Sequence, residues 1–202
     1  MSAPFFFHPL YPFCADLIVC DPPWTYDLRS SNGEAKSPQA HYKCMPNDKI
    51  GQLPVGQRAG RDAWLFLWAT APLLPRCLEV MSAWGFTYKT TLIWRKTTRS
   101  GKVRVGPGYL ARTMHEQILV GSLGLPHYAH ALPSIFDGLA REHSRKPEEF
   151  YERIERFAPQ ARKLDLFGRQ SRPGWLVFGN EATKFDEPIP ALEDEVIAHE
   201  PA

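Results

Sequence analysis

One stretch, ADLIVCDPPW at residues 15–24, constrains this chain more than any other. Its four consecutive apolar residues, 17–20, predict a short strand that is buried on both faces, as in the centre of a parallel sheet. The strand ends abruptly at the tetrapeptide DPPW, residues 21–24. Because open α/β sheets bind ligands beyond the carboxyl ends of their strands, we expect the chemistry of the protein at this turn.

The DPPW turn carries groups that can activate an exocyclic amine of a nucleobase. The lone pair of such an amine is delocalised into the ring, so the amine is a poor nucleophile until its hydrogens are held out of conjugation. Asp21 can accept one N–H bond and the carbonyl of Pro22 a second, while Pro22 and Pro23 fix φ near about −65°. Trp24 offers a ring on which a flipped base can stack. We expect these four residues to catalyse methyl transfer, with electrostatic stabilisation of the charge that grows at the amine.

The same tetrapeptide resembles the catalytic motif of the adenine N6-methyltransferases that use S-adenosylmethionine. The branch it resembles is typified by the catalytic subunit of the eukaryotic mRNA adenosine methyltransferase. On its own, DPPW is equally typical of an ordinary tight turn after a strand, so the rest of the chain has to decide. The resemblance implies an α/β protein with the Rossmann-like fold of S-adenosylmethionine-dependent methyltransferases, in which helices flank a mostly parallel central sheet.

The order of the predicted elements agrees with that fold, because alternating strands and helices are the signature of a parallel sheet. A short helix begins with Asn47 as its N-cap. A longer helix at 72–84 is amphipathic and is ended by Gly85. A third helix follows Pro147 and places Phe150, Ile154 and Phe157 on one face. The further predicted strands are 63–70, 90–96, 117–121, 134–140, 162–169 and 174–181.

Residues 80–115 contain seven basic side chains and no acidic one. A run of charge is usually a solvated face, but this one follows a predicted strand of the same sheet as Asp21 and can reach the rim of the site. Contacts from Arg and Lys to phosphates are the dominant sequence-independent source of nucleic-acid affinity. We therefore expect a flexible loop that binds nucleic acid through Lys96, Arg99, Lys102 and Arg104, with Tyr109 as a stacking partner.

Residues 25–46 form a long polar connection, and such a loop inside a compact domain is usually functional or mobile. An ordinary surface loop is the competing interpretation. In the resembled family a gate loop follows the catalytic motif and closes over the target nucleotide, and Tyr42 matches a tyrosine near its end. The resemblance implies that Tyr42 contacts the substrate. His115 and Glu116 also match a pair in the family, and we expect a structural role for them, because adjacent strand residues point to opposite faces.

Three later motifs match cofactor-binding residues of the family. Lys146, in HSRKP, precedes a predicted helix whose dipole does not favour a cation, so a ligand carboxylate or ribose better explains it. The sequence LFGR at 166–169 resembles the family's variant of the glycine-rich turn, although residues 170–172 lack the His-Asn that follows it there. The resemblance implies S-adenosylmethionine as the cofactor, bound by Asp21, Lys146, Arg169, Asn180, Glu181 and, at the adenine end, His8.

A chain of 202 residues suffices for one α/β domain with a core, which we expect at 1–182, followed by an acidic and flexible tail at 183–202. Outside that tail, 23 basic and 16 acidic residues give a net charge of +7, which suits an anionic partner. The four cysteines lack the spacing of zinc sites or disulfide frameworks, so we expect no metal and a cytoplasmic location. From its composition we expect neither a signal peptide nor a membrane-spanning run in this sequence.

Together the matches favour an enzyme that methylates the N6 amine of adenine at specific sites in nucleic acid. Because the chain resembles the bacterial or phage branch of the family, we expect DNA as its substrate, with a homodimer or an accessory specificity subunit as possible assemblies. RNA is an alternative, since no residue can be assigned to the 2′-hydroxyl. A non-catalytic nucleic-acid-binding subunit would have lost the Asp or the Trp of DPPW, and a cytosine N4-methyltransferase usually carries Ser in place of the Asp.

Overall fold

The computed structural model describes residues 7–25, 44–108, 110–142 and 144–187. Within these residues it contains one seven-stranded sheet and three α-helices. The strands are β1 (Ala15–Cys20), β2 (Ala59–Ala69), β3 (Thr87–Thr97), β4 (His115–Leu123), β5 (Ile135–Leu139), β6 (Lys163–Leu166) and β7 (Trp175–Phe178). The helices are α1 (Asn47–Gly51), α2 (Leu74–Ala83) and α3 (Glu148–Phe157). Across the sheet the strand order is β5-β3-β4-β2-β1-β6-β7.

Six of the seven strands run in the same direction, which confirms the predicted α/β architecture with a mostly parallel sheet. Strand β4 is antiparallel to both of its neighbours, β2 and β3. The carboxyl ends of β1, β3 and β6 therefore lie at the same edge of the sheet. The DPPW turn, the basic segment after β3 and the turn after β6 all leave from that edge.

Strand β1 lies at the centre of the fold, as its unbroken apolar run predicts. Leu17 and Val19 pack in one core cluster and Ile18 and Cys20 in another, because successive side chains of a strand point to opposite faces. All four are at most 1% exposed. The first cluster includes the apolar face of α3 and the second that of α2, so helices cover the sheet on both sides.

The start of α1 differs from the prediction that Asn47 caps it. Pro46 occupies the N-cap position, and Asn47 is the first helical residue. The side-chain amide of Asn47 instead exchanges two hydrogen bonds of 3.2 Å with the backbone of Thr25. Asparagine therefore ties the two described ends of the loop after DPPW together, and this tertiary contact takes the place of the cap. Among the helices of the described residues, none is long and apolar enough to cross a membrane.

Candidate active site

The DPPW turn is held by backbone hydrogen bonds on two sides. The amide of Asp21 donates to the carbonyl of Leu166 at the end of β6, at 3.3 Å. The amide of Met45 donates to the carbonyl of Pro23 at 2.8 Å, and Met45 forms an isolated bridge with Trp24. Thr25 and Met45 therefore both lie beside the turn. Tyr42, which is predicted to contact the substrate, lies outside the described residues.

The structure places the predicted amine-binding groups at the turn but gives Trp24 a different environment from the one expected. The carbonyl of Pro22 accepts the amide of Trp24 at 2.8 Å and keeps its second lone pair for another donor. Trp24 is only 3% exposed, and its indole N–H donates to the carbonyl of Trp68 at 3.0 Å. The expectation of an open stacking face is therefore corrected, because Trp24 packs in the core and anchors the turn from below.

Four charged side chains form a continuous chain that begins at Asp21. The ammonium of Lys146 lies 2.8 Å from the carboxylate of Asp21 and 3.2 Å from that of Glu116. The other oxygen of Glu116 lies 2.5 Å from the ammonium of Lys96. Asp21 follows β1, and Lys146 precedes α3. Glu116 lies on β4 and Lys96 on β3. The topology of the sheet brings all four to one edge.

The titration behaviour of these groups follows from their mutual contacts. Burial raises the pKa of Asp21, and the ammonium of Lys146 opposes that effect. Burial also acts to raise the pKa of Glu116, but Lys146 and Lys96 outweigh it and lower the pKa to about 2. Burial disfavours the charged form of Lys146, yet Asp21 and Glu116 raise its pKa above the ordinary value. Glu116 is therefore ionised and Lys146 protonated at neutral pH.

Two expectations for the lysines change with this geometry. Lys146 was predicted to need a ligand carboxylate or ribose, but two protein carboxylates already hold it, and it also lies 4.3 Å from the centroid of the Trp68 ring. Lys96 was predicted to contact phosphate, but it binds Glu116 and lies over the ring of Trp94 at 5.0 Å. For Glu116 only a structural role was predicted. The carboxylate of Glu116 faces Lys146 because β4 is antiparallel to its neighbours. The sequence pattern does not reveal the direction of β4, so this contact could not be predicted.

Beside the charged chain lies a cleft that encloses about 360 Å³ of empty space, part of it open to solvent. Asp21 and Lys146 line one side of it, and the turn after β6 lines the other. Asp165, on β6, is buried at the wall and accepts a hydrogen bond of 2.8 Å from the hydroxyl of Tyr151. Burial raises the pKa of Asp165 to about 7, although Tyr151 and Arg172 oppose the shift.

The turn after β6 packs closely against the neighbouring backbone and side chains at two glycines. A Cβ on Gly168 would approach Val177 to 2.6 Å and the carboxyl of Asp165 to 3.0 Å. A Cβ on Gly179 would approach the carbonyl of Gly168 to 2.7 Å. Phe167 has a φ of 64°, which turns the chain sharply at the end of the strand. A narrow turn at the carboxyl end of a parallel strand, with Asp165 at the cavity wall, suits a ligand that carries positive charge.

The predicted cofactor-binding residues divide into two groups. Asp21, Lys146 and Arg169 line the cavity, and Arg169 forms an ion pair with Glu181. Asn180 and His8 are exposed and are not among the residues that line this cavity, so their contact with the cofactor stays a prediction. Instead the ring of Phe7, next to His8, packs edge-on against Phe178 and Phe167 beneath the turn.

The basic segment after β3 is folded, whereas a flexible loop was predicted. Thr97 pairs with Val103, and the amide of Arg104 donates to the carbonyl of Lys96 at 2.8 Å. Arg99, Lys102 and Arg104 are exposed on it, and the guanidinium of Arg104 donates to the carbonyl of Ala140 at 3.3 Å. The exposed cations thus lie on a fixed hairpin at the active edge. Tyr109 lies outside the described residues.

Comparisons with known proteins agree with this site. The sequence profile of the MT-A70 family matches residues 15–181. The chain is 31% identical over 170 residues to the N(6)-adenosine-methyltransferase MT-A70-like of Arabidopsis thaliana, covering 82% of this chain and 23% of that protein. It is 30% identical over 190 residues to the human N(6)-adenosine-methyltransferase catalytic subunit METTL3, covering 90% of this chain and 30% of METTL3. It is 27% identical over 184 residues to the type II methyltransferase M.MunI of Mycoplasma sp, covering 82% of this chain and 76% of M.MunI.

Proposed function

The chain belongs to the MT-A70 family, and from that premise we propose that it transfers the methyl group of S-adenosylmethionine to the N6 amine of adenine in nucleic acid. One observation carries this proposal. Asp21 of the DPPW turn borders the cavity in which we place the cofactor and stands at the edge from which the basic hairpin leaves. A hydrogen-bond acceptor for the amine, a cofactor cavity and a cationic surface therefore share one edge of the sheet.

Residues of this chain would hold the cofactor on both sides of the cavity. Asp165 lies at the wall beneath the glycine turn, Arg169 stands on that turn, and Lys146 closes the side next to Asp21. When bound there, S-adenosylmethionine supplies an electrophilic methyl group on a sulfonium sulfur. Positioning is expected to provide much of the acceleration, since the protein has to align the amine with that methyl group.

Asp21 and the Pro22 carbonyl act on the amine of the substrate. Each accepts one N–H, which holds the two hydrogens and frees the nitrogen lone pair for attack. The amine loses one proton once the new N–C bond has formed, and the carboxylate of Asp21 is the acceptor in reach. Lys146 stabilises the ionised form of Asp21 before the reaction, so the acceptor is available at neutral pH.

We further propose DNA as the substrate polymer. The chain matches less than a third of the length of METTL3 and of the Arabidopsis relative but 76% of the type II methyltransferase M.MunI, and the likeness to M.MunI supports this proposal. RNA is the alternative that the METTL3 likeness supports. A cytoplasmic location and assembly as a homodimer or with an accessory specificity subunit are part of the same proposal.

The test is methyl transfer from labelled S-adenosylmethionine to matched single-stranded DNA, duplex DNA and RNA, each digested to nucleosides. N6-methyladenine should appear with the wild type and disappear with Asp21→Ala, and the preferred polymer decides between DNA and RNA. A matched control is Asp62→Ala, which removes a carboxylate that binds the amide of Leu125 away from the site. Cofactor binding without transfer to any polymer would contradict the stand-alone enzyme and favour a non-catalytic subunit.

A further inference from the structure

An exposed apolar side chain stands at the end of the basic hairpin. Leu110 is 96% exposed, more than any other large apolar residue in the described part of the chain. Val105 and Met114, on the two sides of the loop that carries it, are 52% and 42% exposed. Large apolar side chains that an ordered segment leaves in water, on a surface otherwise rich in charge, mark a place where a partner binds.

Backbone contacts fix the loop that carries Leu110. We call residues 106–108 and 110–113 the tip loop. The amide of Gly106 donates to the carbonyl of Thr113 at 2.6 Å, and the amide of Thr113 donates to the carbonyl of Pro107 at 3.0 Å. A Cβ on Gly106 would approach that carbonyl oxygen of Thr113 to 2.9 Å, so the two sides of the tip loop are closely packed. The tip loop therefore presents Leu110 on a backbone that is already ordered.

The tip loop is joined to the active edge through Lys96. The amide of Lys96 donates to the carbonyl of Met114 at 2.9 Å, and its ammonium binds Glu116 in the charged chain that leads to Asp21. Leu110 is four residues from Met114, so their Cα atoms are at most about 15 Å apart. This span is comparable to the width of the major groove, about 12 Å. A duplex whose adenine reaches Asp21 therefore extends far enough to meet the tip loop.

The charge around Leu110 favours a nucleic acid over a second copy of the chain. Residues 97–114 contain no acidic side chain and four cations, namely Arg99, Lys102, Arg104 and Arg112. A two-fold contact between copies through this segment would bring like charges together, whereas phosphates would neutralise them. The acidic tail predicted at 183–202 lies at the other end of the sequence, and its residues 188–202 are outside the described part.

An adenine inside a duplex has to leave the base stack before its amine can reach a buried carboxylate. Its departure leaves a gap between the faces of the two flanking bases, which water solvates poorly. An inserted apolar side chain such as Leu covers those faces and stabilises the opened duplex. A loop that is ordered beforehand suits this task, because it loses little conformational entropy on binding. Leu110 has the apolar character, the exposure and the fixed support that such an insertion requires.

We propose that Leu110 is a wedge that enters the stack of duplex DNA beside the flipped adenine, while the cations of the hairpin bind the flanking phosphates. The inference rests on the proposed function, since it names a residue that serves the same reaction on a duplex substrate. Leu110 is a positioning residue, because it contacts the neighbours of the target base and none of the reacting atoms. In a single strand there is no paired stack to open, so the wedge acts on duplex DNA alone.

The test compares a duplex with its own single strand. A site that the wild type methylates in unmodified plasmid DNA is identified by sequencing and is then supplied as a duplex oligonucleotide and as the single strand. Leu110→Ala should lower kcat/KM on the duplex by roughly 10- to 100-fold and leave the single strand within about twofold, because unstacking is the step that the wedge assists. A duplex with an abasic position opposite the adenine should recover most of the loss, since an unpaired base leaves the stack more easily.

Further variants and a direct readout of base flipping control this experiment. Leu110→Phe keeps an apolar wedge and should retain most of the activity on the duplex. Leu125→Ala is the matched control, since it removes a side chain that is 92% exposed after β4, at the opposite edge of the sheet. With 2-aminopurine at the target position, fluorescence should rise on binding of the wild type and rise less with Leu110→Ala. Thermal unfolding should be the same in all variants, because both leucines lie in water.

The outcomes separate the wedge from the proposed function. A wild-type protein that methylates none of the polymers contradicts the proposed function itself. A wild type that methylates only single strands or RNA overturns the wedge and leaves methyl transfer standing. Equal losses on duplex and single strand in Leu110→Ala, or no loss on either, also overturn it. If sedimentation velocity shows that Leu110→Ala turns a dimer into a monomer, Leu110 belongs to a contact between copies and the wedge is wrong.

Discussion

Asp165 gives the site a pH dependence that can be worked out from its surroundings. Burial raises the pKa of Asp165 to about 7, so a substantial fraction of this carboxyl is protonated at neutral pH. S-adenosylmethionine carries a sulfonium and an ammonium, and positive charge in the cavity favours the ionised carboxyl. Binding should therefore release the proton from Asp165, and cofactor affinity should fall as the pH drops below about 7.

The size of the effect follows from the pKa. If only the ionised form binds, the apparent dissociation constant rises about tenfold for each pH unit well below 7, and roughly 25-fold between pH 7.5 and pH 5.5. Calorimetric titration of S-adenosylmethionine across this range measures it. Repeating the titration near pH 6.5 in buffers of different ionisation enthalpy counts the protons released.

Asp165→Asn is the matched variant, because it keeps the shape of the side chain and an oxygen acceptor for the Tyr151 hydroxyl. Its affinity should be weaker at pH 7.5 and nearly independent of pH once the titration of the ligand itself is subtracted. A pH profile that is the same in wild type and Asp165→Asn would refute the reasoning, since the titrating group would then lie elsewhere.

The same carboxyl predicts how stability without ligand depends on pH. A carboxyl whose folded pKa is raised above its unfolded value contributes stability below the unfolded pKa and loses it as the pH rises through the folded pKa. For Asp165 that window runs from about 3.8 to about 7, a shift of about three units and a loss of at most about 4 kcal/mol. Denaturant unfolding should show wild type losing stability relative to Asp165→Asn as the pH rises through this window.

Further variants test the charged chain and the hairpin. Asp21→Asn should lower kcat by at least about a hundredfold and raise the dissociation constant of the cofactor by a much smaller factor, as single-turnover assays and calorimetry can show. Glu116→Gln removes one of the two carboxylates that hold Lys146, and it should shift the pH profile of kcat more than it changes KM, whereas a purely structural role would leave the profile in place. Replacing Arg99, Lys102 and Arg104 together by Ser should weaken nucleic-acid binding and reduce the slope of log K against log salt by about 2 to 3, as filter binding at several salt concentrations measures.

The sequence predicts those parts of the site in which a single segment shows both where a side chain lies in the fold and what chemistry it can perform. Asp21 follows an apolar run that can only be a central strand, so its place at the carboxyl edge is readable without any neighbour. Asp165 lies one residue before the end of the adjacent parallel strand β6, and it was not singled out from the sequence, which matched only LFGR at 166–169. The architecture of alternating strands and helices is predictable for the same reason, because each element reports its own periodicity.

The parts that sequence reasoning missed depend on contacts between distant segments. Glu116 faces Lys146 because β4 runs antiparallel between β2 and β3, and periodicity does not reveal strand direction. Pro46 is the N-cap of α1, because the side chain of Asn47 instead forms hydrogen bonds with the backbone of Thr25 across the loop. A large aromatic residue in the DPPW turn suggests a stacking surface. Only the hydrogen bond from Trp24 to the carbonyl of Trp68 shows that Trp24 instead packs in the core and anchors the turn.

The charged chain explains why a DPPW tetrapeptide alone does not define an active site. Burial beside the cavity pushes Asp21 towards its neutral form, which is a weaker acceptor for an amine and a lysine than the carboxylate is. Lys146 counteracts this, and Lys146 in turn stays protonated because Glu116 shares its charge. Lys96 completes the balance by compensating Glu116 from β3. The protonation state of Asp21 therefore depends on side chains from four segments of the chain. A substitution at Glu116 should alter the chemistry at Asp21, although the two side chains are not in direct contact.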